Sequence, residues 1–465
     1  MSAIVADATE VTRGIEPVPE AQRRLSGFDL AILWGDLGVG LLVLQAGALL
    51  VPGLGTGEAL VAVLVGSVIG VLLLGIAAYI AADAGVPTMV LTRAAVGVRG
   101  SALPTILNVV QLLGWTSFEI LVMAQFADAT VSRLTGISAY PFWALFFAVF
   151  CTAMALGGPL VVVRQWLEKF GAWAMLATTA VLFVLLATSF DLGAILRATG
   201  TGEFAFWLGV DLVIALPLSW FPLVADYDRF ARTRSASFWG TAVGYFLANV
   251  SFFSLGLLYV LALKTDVAHL NGELAGFLGG SALLGLVALV IILADETDEG
   301  FANIYSTAVS TQNLLSRVPQ RLLVVIFGAV GFVLSIVLQN ADYEWFLLLI
   351  GSFFVPLLGL VAADYFIVRG GRYEGGQLFA RDGRYWYQGG VNVVAVVVWL
   401  LGFLLYQWVS PPASLPALTE AIGGALGAVG LPFPLGSPIG STIPSFALTF
   451  VLYAVLGRMA RGRRA

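Results

Sequence analysis

The sequence predicts an all-α integral membrane protein with about 12 transmembrane helices. Of its 465 residues, 59% are hydrophobic and only 11% are charged, which excludes a soluble globular protein. Windows of roughly 20 apolar residues, each long enough to cross a bilayer, are numbered spans 1 to 12. They lie at about 27–51, 58–82, 104–130, 139–158, 167–189, 205–225, 237–263, 281–313, 321–339, 345–368, 390–409 and 441–458.

The positions of Lys and Arg predict the orientation of these spans. With the N-terminus in the cytoplasm, 20 of the 23 basic residues fall on the inner side, and only Arg133, Arg197 and Lys264 fall outside. Cytoplasmic loops carry an excess of Lys and Arg, and one missed helix would exchange the two sides for every later loop. We therefore expect a multi-pass protein of the plasma membrane with both termini in the cytoplasm.

Span 8 contains four acids near its middle: Asp295, Glu296, Asp298 and Glu299. One acid at the centre of a membrane helix costs about 2.5–3.5 kcal/mol, so four that face lipid in ionised form would cost about 10 kcal/mol. A polar stripe continues from them at spacings of three and four through Asn303, Ser306 and Ser310, which predicts that this face lines the interior of the bundle. The acids therefore need a partner, a proton, an ion or water.

Spans 1 and 6 both contain residues that interrupt a membrane helix. In span 1, three glycines surround Asp36 in the segment GDLGVG (35–40), and in span 6 Pro217 and Pro222 stand on either side of Ser219. Backbone freed by such breaks is tolerated in a membrane only where a cavity or ligand satisfies it. Breaks at matching places in two halves are typical of secondary transporters built from inverted repeats. Close packing of Gly- and Pro-containing helices is the alternative.

The two breaks are five spans apart, which divides the chain into three regions. Residues 1–25 form a cytoplasmic tail, and residues 26–370 form a core of two repeats, spans 1–5 and spans 6–10. Residues 371–465 add spans 11 and 12, a long outer loop at 410–440 and a basic cytoplasmic C-terminus.

Span 3 presents three different functional groups on one helical face. Gln111, Trp115 (or Phe118) and Glu119 lie on this face, at intervals of about four residues, and offer an amide, an aromatic plane and a carboxylate. Packing explains the tryptophan but not a carboxylate about midway along a span, so Glu119 is a candidate functional residue.

Seven motifs occur at fixed positions along residues 13–370. They are RGIEPVPEAQRR before span 1, GVPTMVLTRAAVGVRGSALP between spans 2 and 3, QLLGW in span 3, VVRQWLEKFG opening span 5, ADYDRFAR closing span 6, FANIYSTAVSTQNL in span 8 and GLVAADYFIVR closing span 10. Together they resemble the nucleobase:cation symporter family 1, the purine and cytosine permeases. The loop from Arg93 to Gly100 and the ADYDRF segment are the most specific of them.

The resemblance implies a five-plus-five inverted-repeat fold of the LeuT-like class, alternating access, and uptake of a nucleobase or similar heterocycle together with a cation. By position, it implies a site between the two breaks, span 3 and the middle of span 8. An aromatic plane there would stack on the ring, while amides and carboxylates match its donor and acceptor edge. The expected substrate-binding residues are Asp36, Gly38, Gln111, Trp115, Glu119, Ser219, Trp220 and Asn303.

The cation-coupling position departs from that of the sodium-coupled members. Those resemble one another in a small hydroxyl-bearing pair on span 8, and alignment of the N-x-Y-S stretch puts Asp298 and Glu299 there instead. Carboxylates crowded at low dielectric cannot all ionise, which favours a shared proton. We expect Gly35, Asp36, Asp298 and Glu299 to form the coupling site for H⁺. A sodium ion near Gly35 and Glu299 is the alternative, and we expect no other metal and no cofactor.

The same acids bear on the substrate. A carboxylate such as Glu119 can accept hydrogen bonds from an exocyclic amine, and it would also suit a permanently cationic ligand. We expect cytosine or a related aminopyrimidine, such as a thiamine-precursor pyrimidine. Uptake of another heterocycle with sodium, such as a purine, a hydantoin or allantoin, is the alternative.

Other functional classes fit the sequence poorly. One cysteine, Cys151, and one histidine, His269, with no metal-binding motif, argue against an enzyme. A channel would show a repeated filter, so it is a distant alternative. We expect a monomer that binds a small heterocycle, a cation and lipid, but no nucleic acid. Asp226, Arg229 and Asp364, at the inner ends of spans 6 and 10, are either interface ion pairs or an inner gate.

Overall fold

The computed structural model describes residues 15–157, 172–280, 282–338, 343–409 and 416–462, which are almost entirely helices and short loops. Two isolated β-bridges, Leu25 with Ala231 and Gln388 with Val391, are the only extended pairings among these residues. Residues 1–14 of the predicted tail, the VVRQWLEKFG motif and residues 410–415 of the outer loop lie outside the described residues.

Each of the twelve apolar windows contains at least one helix. Spans 2, 3, 4 and 5 are Thr56–Ala84, Ala102–Thr135, Tyr140–Gly157 and Ala172–Ser189; spans 7, 8 and 9 are Arg234–Leu263, Ala282–Gln312 and Gln320–Ser335; spans 10, 11 and 12 are Tyr343–Ala362, Val393–Val409 and Thr442–Gly462. By length and composition, seven helices of the described residues can cross a membrane, or eight when the bent pair of span 1 counts as one. Spans 5, 9 and 11 contain shorter apolar helices, and span 8 is 31 residues long but carries the four acids.

Span 1 is broken where the sequence predicts. Its two helices, Gly27–Asp36 and Leu41–Ala48, meet at 63°. Ser26 begins the first helix as a capping box, because its side chain accepts from the Asp29 amide while the Asp29 carboxylate accepts from the Ser26 amide. The break ends at Gly40, whose extended backbone leads directly into the second helix.

Span 6 is also broken where the sequence predicts. It runs as the helix Phe206–Ser219, a 3₁₀ turn at Phe221–Leu223 and a short helix at Val224–Asp228. Pro217 lies inside the first helix and Pro222 lies in the turn, and each lacks the backbone N–H that a continuous helix would use. Both breaks lie in the buried centre of the bundle.

The helices pack so that spans 1, 3, 6, 7 and 8 meet at the centre. Span 7 packs along both halves of span 1 and along span 2, while span 8 packs against spans 3, 4 and 9. Spans 11 and 12 pack on span 10, at the edge of this arrangement. Two longer helices of the described residues lie outside the predicted spans, Leu270–Gly280 before span 8 and Pro416–Ala428 in the long loop before span 12. Short helices also occur in loops, at Thr88–Leu91, Arg93–Val96 and Leu192–Leu196.

Arginines that the sequence assigns to the inner side make contacts at one end of the bundle. Arg23 donates to the Ala82 carbonyl at 2.6 Å, and Arg234 pairs with Asp83 at 2.6 Å. These contacts join the segment before span 1 and the start of span 7 to the end of span 2.

Candidate functional site

A small buried cavity lies between the two helix breaks. Its lining comes from spans 1, 3, 6, 7 and 8: Leu42, Val43, Trp115, Glu119, Leu216, Ser219, Trp220, Leu223, Tyr245, Glu299 and Asn303. Its free volume is about 10 Å³, which is room for a single water molecule. A heterocycle can therefore enter only when neighbouring side chains move.

Five of the eight predicted substrate-binding residues line this cavity: Trp115, Glu119, Ser219, Trp220 and Asn303. Gln111 lies beside it instead, where its amide donates to Asn108 Oδ1 at 2.9 Å and to the Ser219 carbonyl at 3.2 Å. Gln111 therefore holds the break of span 6 in place. Gly38 faces span 7, since a Cβ atom there would lie 2.8 Å from the Ala248 side chain.

Asp36 also lies outside the central cavity. It belongs to a triad with Asp295 and Asp298, in which one carboxylate oxygen of each residue lies within 4.8 Å of the others. All three side chains are buried. No N–H group or hydroxyl group of the described residues donates a hydrogen bond to either oxygen of Asp36 or of Asp298. This aspartate triad joins the break of span 1 to span 8.

A second triad contains Glu119, Glu296 and Glu299, with the same 4.8 Å limit between ligand oxygens. Glu296 accepts from the Leu41 amide, the first N–H of the second helix of span 1. The N-terminus of a helix favours negative charge, so this contact stabilises the glutamate. Glu119 and Glu299 point into the central cavity, so the glutamate triad belongs to the candidate substrate site.

The structure therefore separates Asp298 from Glu299, which the sequence analysis grouped as one coupling pair. Neighbouring residues on a helix differ by about 100° in direction, whereas residues three apart share a face. Asp295 and Asp298 face Asp36 at the end of the first half of span 1. Glu296 and Glu299 lie between Glu119 of span 3 and the start of the second half of span 1. Gly35, the other predicted coupling residue, lines a different cavity of about 270 Å³ between spans 1, 5 and 7, which Asp36 also borders.

Aromatic residues surround the central cavity on several sides. Trp115 packs edge-on against Tyr343 and Phe346, with ring centroids 6.0 and 5.2 Å apart, and its buried Nε1 has no acceptor among the described residues. Trp220 packs edge-on against Trp34 at 5.7 Å. These contacts fix the two tryptophan planes that the sequence singled out.

Some residues of the site were missed by the sequence analysis. Tyr245 of span 7 lines the cavity, and Trp34 supports Trp220 while it donates to Asp228 at 2.8 Å. Tyr245 stands in an ordinary apolar span without a local signal. Glu296, by contrast, was detectable, because its spacing of three from Glu299 predicts a shared face.

The three predicted gate residues do not form one group. Asp226 accepts from the Thr88 amide at 3.1 Å, and Arg229 donates to the Tyr305 hydroxyl at 3.4 Å, so both join the inner end of span 6 to its neighbours. Asp364 instead accepts from Tyr373 and Tyr453 and pairs with Arg369 at 3.5 Å. It connects spans 10 and 12, away from span 6.

The chain matches a family of known transporters over most of its length. Residues 17–425 match the model of a family described as permeases for cytosine/purines, uracil, thiamine and allantoin. A putative purine-cytosine permease of Bacillus subtilis is 25% identical over 84% of this chain and 86% of its own length. The cytosine permease of Escherichia coli K12 is 26% identical over 88% of this chain and 91% of its own length.

A solved structure shares the fold. Mhp1, a nucleobase-cation-symport-1 family transporter in a closed conformation with bromovinylhydantoin bound, aligns with a TM-score of 0.76 at 20% identity, over 95% of this chain and 99% of that chain. This likeness confirms the predicted transporter fold. The chain is thus a multi-pass membrane permease, not an enzyme, and it belongs to the nucleobase:cation symporter family 1.

Proposed function

We propose that this permease takes up cytosine or a related aminopyrimidine together with protons, by alternating access. The observation that carries the proposal is the aspartate triad of Asp36, Asp295 and Asp298, whose carboxylates are buried within 4.8 Å of one another. The glutamate triad beside it provides the substrate contacts. Coupling site and substrate site are thus adjacent, on neighbouring faces of span 8.

Protons balance the charge of the aspartate triad better than sodium does. An ionised carboxylate is very costly away from water unless it is paired. One sodium ion on three ionised carboxylates would leave two negative charges uncompensated, whereas protons can neutralise each carboxylate in turn. Asp36 and Asp298 are the proposed carriers, since their oxygens have no hydrogen-bond donor among the described residues.

The central cavity suits an aminopyrimidine ring. Glu119 and Glu299 offer acceptors for an exocyclic amine, and the free Nε1–H of Trp115 offers a donor for a ring nitrogen or carbonyl. Trp220 and Tyr245 provide aromatic surface for the ring. The names of the two relatives, a purine-cytosine permease and a cytosine permease, support the same substrate class.

Transport by purified protein in liposomes tests the proposal. We expect labelled cytosine to accumulate under a pH gradient, acid outside, in sodium-free buffer, and a protonophore to abolish the accumulation. Asp36→Asn and Asp298→Asn should each reduce gradient-driven uptake by roughly tenfold or more, in the range of ordinary coupling free energies. Cytosine binding at equilibrium should change little in Asp36→Asn, because Asp36 lies outside the central cavity.

Asp266→Asn is the matched control, because Asp266 lies on an outer loop and its side chain is 67% exposed. Uptake that follows a sodium gradient and ignores the pH gradient would overturn proton coupling. Competition by uracil, hydantoin, allantoin or a purine, with none by cytosine or aminopyrimidines, would overturn the proposed substrate class.

The proposal includes a monomer in the plasma membrane with both termini in the cytoplasm. The 20 basic residues assigned to the inner side support this orientation. In that orientation the coupling proton enters with the substrate from outside and leaves into the cytoplasm.

A further inference from the structure

We infer that the central cavity binds its substrate as a planar organic cation, with an amidinium-type N–C–N edge between Glu119 and Glu299. This inference rests on the proposed function, because it takes the central cavity as the transport site. It defines the charge state of the substrate, which the proposed function leaves open.

The first argument is the balance of charge. Six acids form the two triads, and none of them takes part in an ion pair among the described residues. The helix N-terminus at Leu41 compensates part of one charge, that of Glu296. No comparable positive group of the described residues contacts Glu119 or Glu299, and a neutral ligand would add no positive charge to the cavity.

The second argument is the geometry of the acceptors. Oxygens of Glu119, Glu296 and Glu299 lie within 4.8 Å of one another, and one oxygen of Glu119 is buried with no donor among the described residues. Two parallel N–H donors on one planar edge can contact two such carboxylates at once. Hydrogen bonds in which the donor or the acceptor is ionised are about twice as strong as neutral ones, and a bidentate pair of them adds both energy and geometric specificity.

The third argument is the aromatic lining. Trp115, Trp220 and Tyr245 border the same cavity as the two glutamates, and aromatic faces attract organic cations. Trp115 also presents an unpaired Nε1–H, and its side chain is only 6% exposed. A matching ligand therefore combines a cationic donor edge, a flat ring and one acceptor. An aminopyrimidine protonated on a ring nitrogen has all three.

Equilibrium binding of a charged and a neutral analogue of the same shape tests the inference. Benzamidine is an amidinium at neutral pH, and benzamide is its neutral counterpart. In purified protein at pH 7, without any gradient, we expect benzamidine to compete with labelled cytosine at least about tenfold more strongly than benzamide. Glu119→Gln and Glu299→Gln should each remove most of this preference.

Glu273→Gln is the matched control, because Glu273 is exposed on the outer helix Leu270–Gly280. Equal competition by benzamide, or no competition by benzamidine, would overturn the inference. So would an unchanged preference in both glutamine variants. If proton-driven cytosine uptake persists in that case, the proposed function stands and only the cationic substrate form is lost. The wild-type comparison does not depend on whether the variants fold.

Discussion

At the scale of single residues, Gly40 of span 1 lies directly against two acids of span 8. A Cβ atom at this position would lie 2.8 Å from Glu296 Oε1 and 3.3 Å from an oxygen of Glu299. Glycine is needed here for space and not for an unusual backbone angle, since the backbone is extended. The absent side chain lets Glu296 reach the Leu41 amide.

Substitution of Gly40 by alanine tests this packing. We expect Gly40→Ala to displace Glu296 from the Leu41 amide, at a cost of about 1–3 kcal/mol for the buried groups that lose their hydrogen bond. Cytosine uptake should fall by roughly tenfold, and the unfolding temperature in detergent should decrease. Gly57→Ala is the control, because a Cβ there meets nothing within 4 Å. Equal uptake by the two variants would contradict the assigned role of Gly40.

At the scale of helices, span 7 holds both halves of broken span 1. A Cβ at Gly244 would overlap the carbonyl oxygen of Ala31 in the first half, and one at Gly256 would overlap that of Leu44 in the second half. Small residues let membrane helices approach backbone to backbone, where packing and not the hydrophobic effect drives association. Span 7 thus supports span 1 on either side of its break.

A methyl group at this contact should separate the helices. We expect Gly244→Ala to lower the unfolding temperature by several degrees, because rigid backbone has to move to relieve about 1–3 kcal/mol of overpacking. Gly279→Ala, where a Cβ meets nothing within 4 Å, should leave it unchanged. Thermal unfolding followed by tryptophan fluorescence measures both variants. An equal decrease of the unfolding temperature in both variants would show that the close contact at Gly244 does not determine the stability.

The helices also show how far sequence reasoning reaches. The two helix breaks were predictable because glycine and proline weaken a helix at their own positions. The glycines stand around Asp36 in span 1, and the prolines stand on either side of Ser219 in span 6. Alignment to the family's motif grouped Asp298 with Glu299 as candidate carriers, whereas the structure places them in different triads, because neighbouring residues of a helix point in different directions. The positions of Tyr245 and Trp34 depend on how spans 1 and 7 pack together, and no local pattern encodes that packing.

At the scale of the whole molecule, Arg93 joins three parts of the predicted inner side. Its guanidinium donates to Asn313 Oδ1 at 2.8 Å, at the end of span 8, and to the Leu378 carbonyl at 3.2 Å, in the loop after span 10. Asn313 in turn donates to Ser101 and Thr105 at the start of span 3. Burial lowers the pKa of Arg93 to about 10, so it stays charged at neutral pH.

The alternating access proposed above requires such contacts to open when the inner side opens. A hydrogen bond to a charged group contributes about 1.5–3 kcal/mol, and each 1.4 kcal/mol shifts a two-state equilibrium about tenfold. We therefore expect Arg93→Ala to shift the protein towards an inward-open state by about tenfold or more. The physical reason is that the closed state loses bonds which the open state does not make.

Cysteine accessibility measures this shift, because the chain has a single native cysteine, Cys151, that can be replaced by alanine. In that background, Ser306→Cys places a reporter cysteine at a buried position of span 8. A membrane-impermeant maleimide added from the cytoplasmic side should react with this cysteine about tenfold faster in the Arg93→Ala variant than with Arg93 present. Arg317→Ala, an exposed arginine on the same predicted side, should not change the rate. Local unfolding would also expose the cysteine, so a control is needed. If the faster labelling reports opening of the inner side, substrate that favours the closed state should slow it again. Equal labelling rates with and without Arg93 would show that this arginine stabilises the loop contacts but does not affect opening of the inner side.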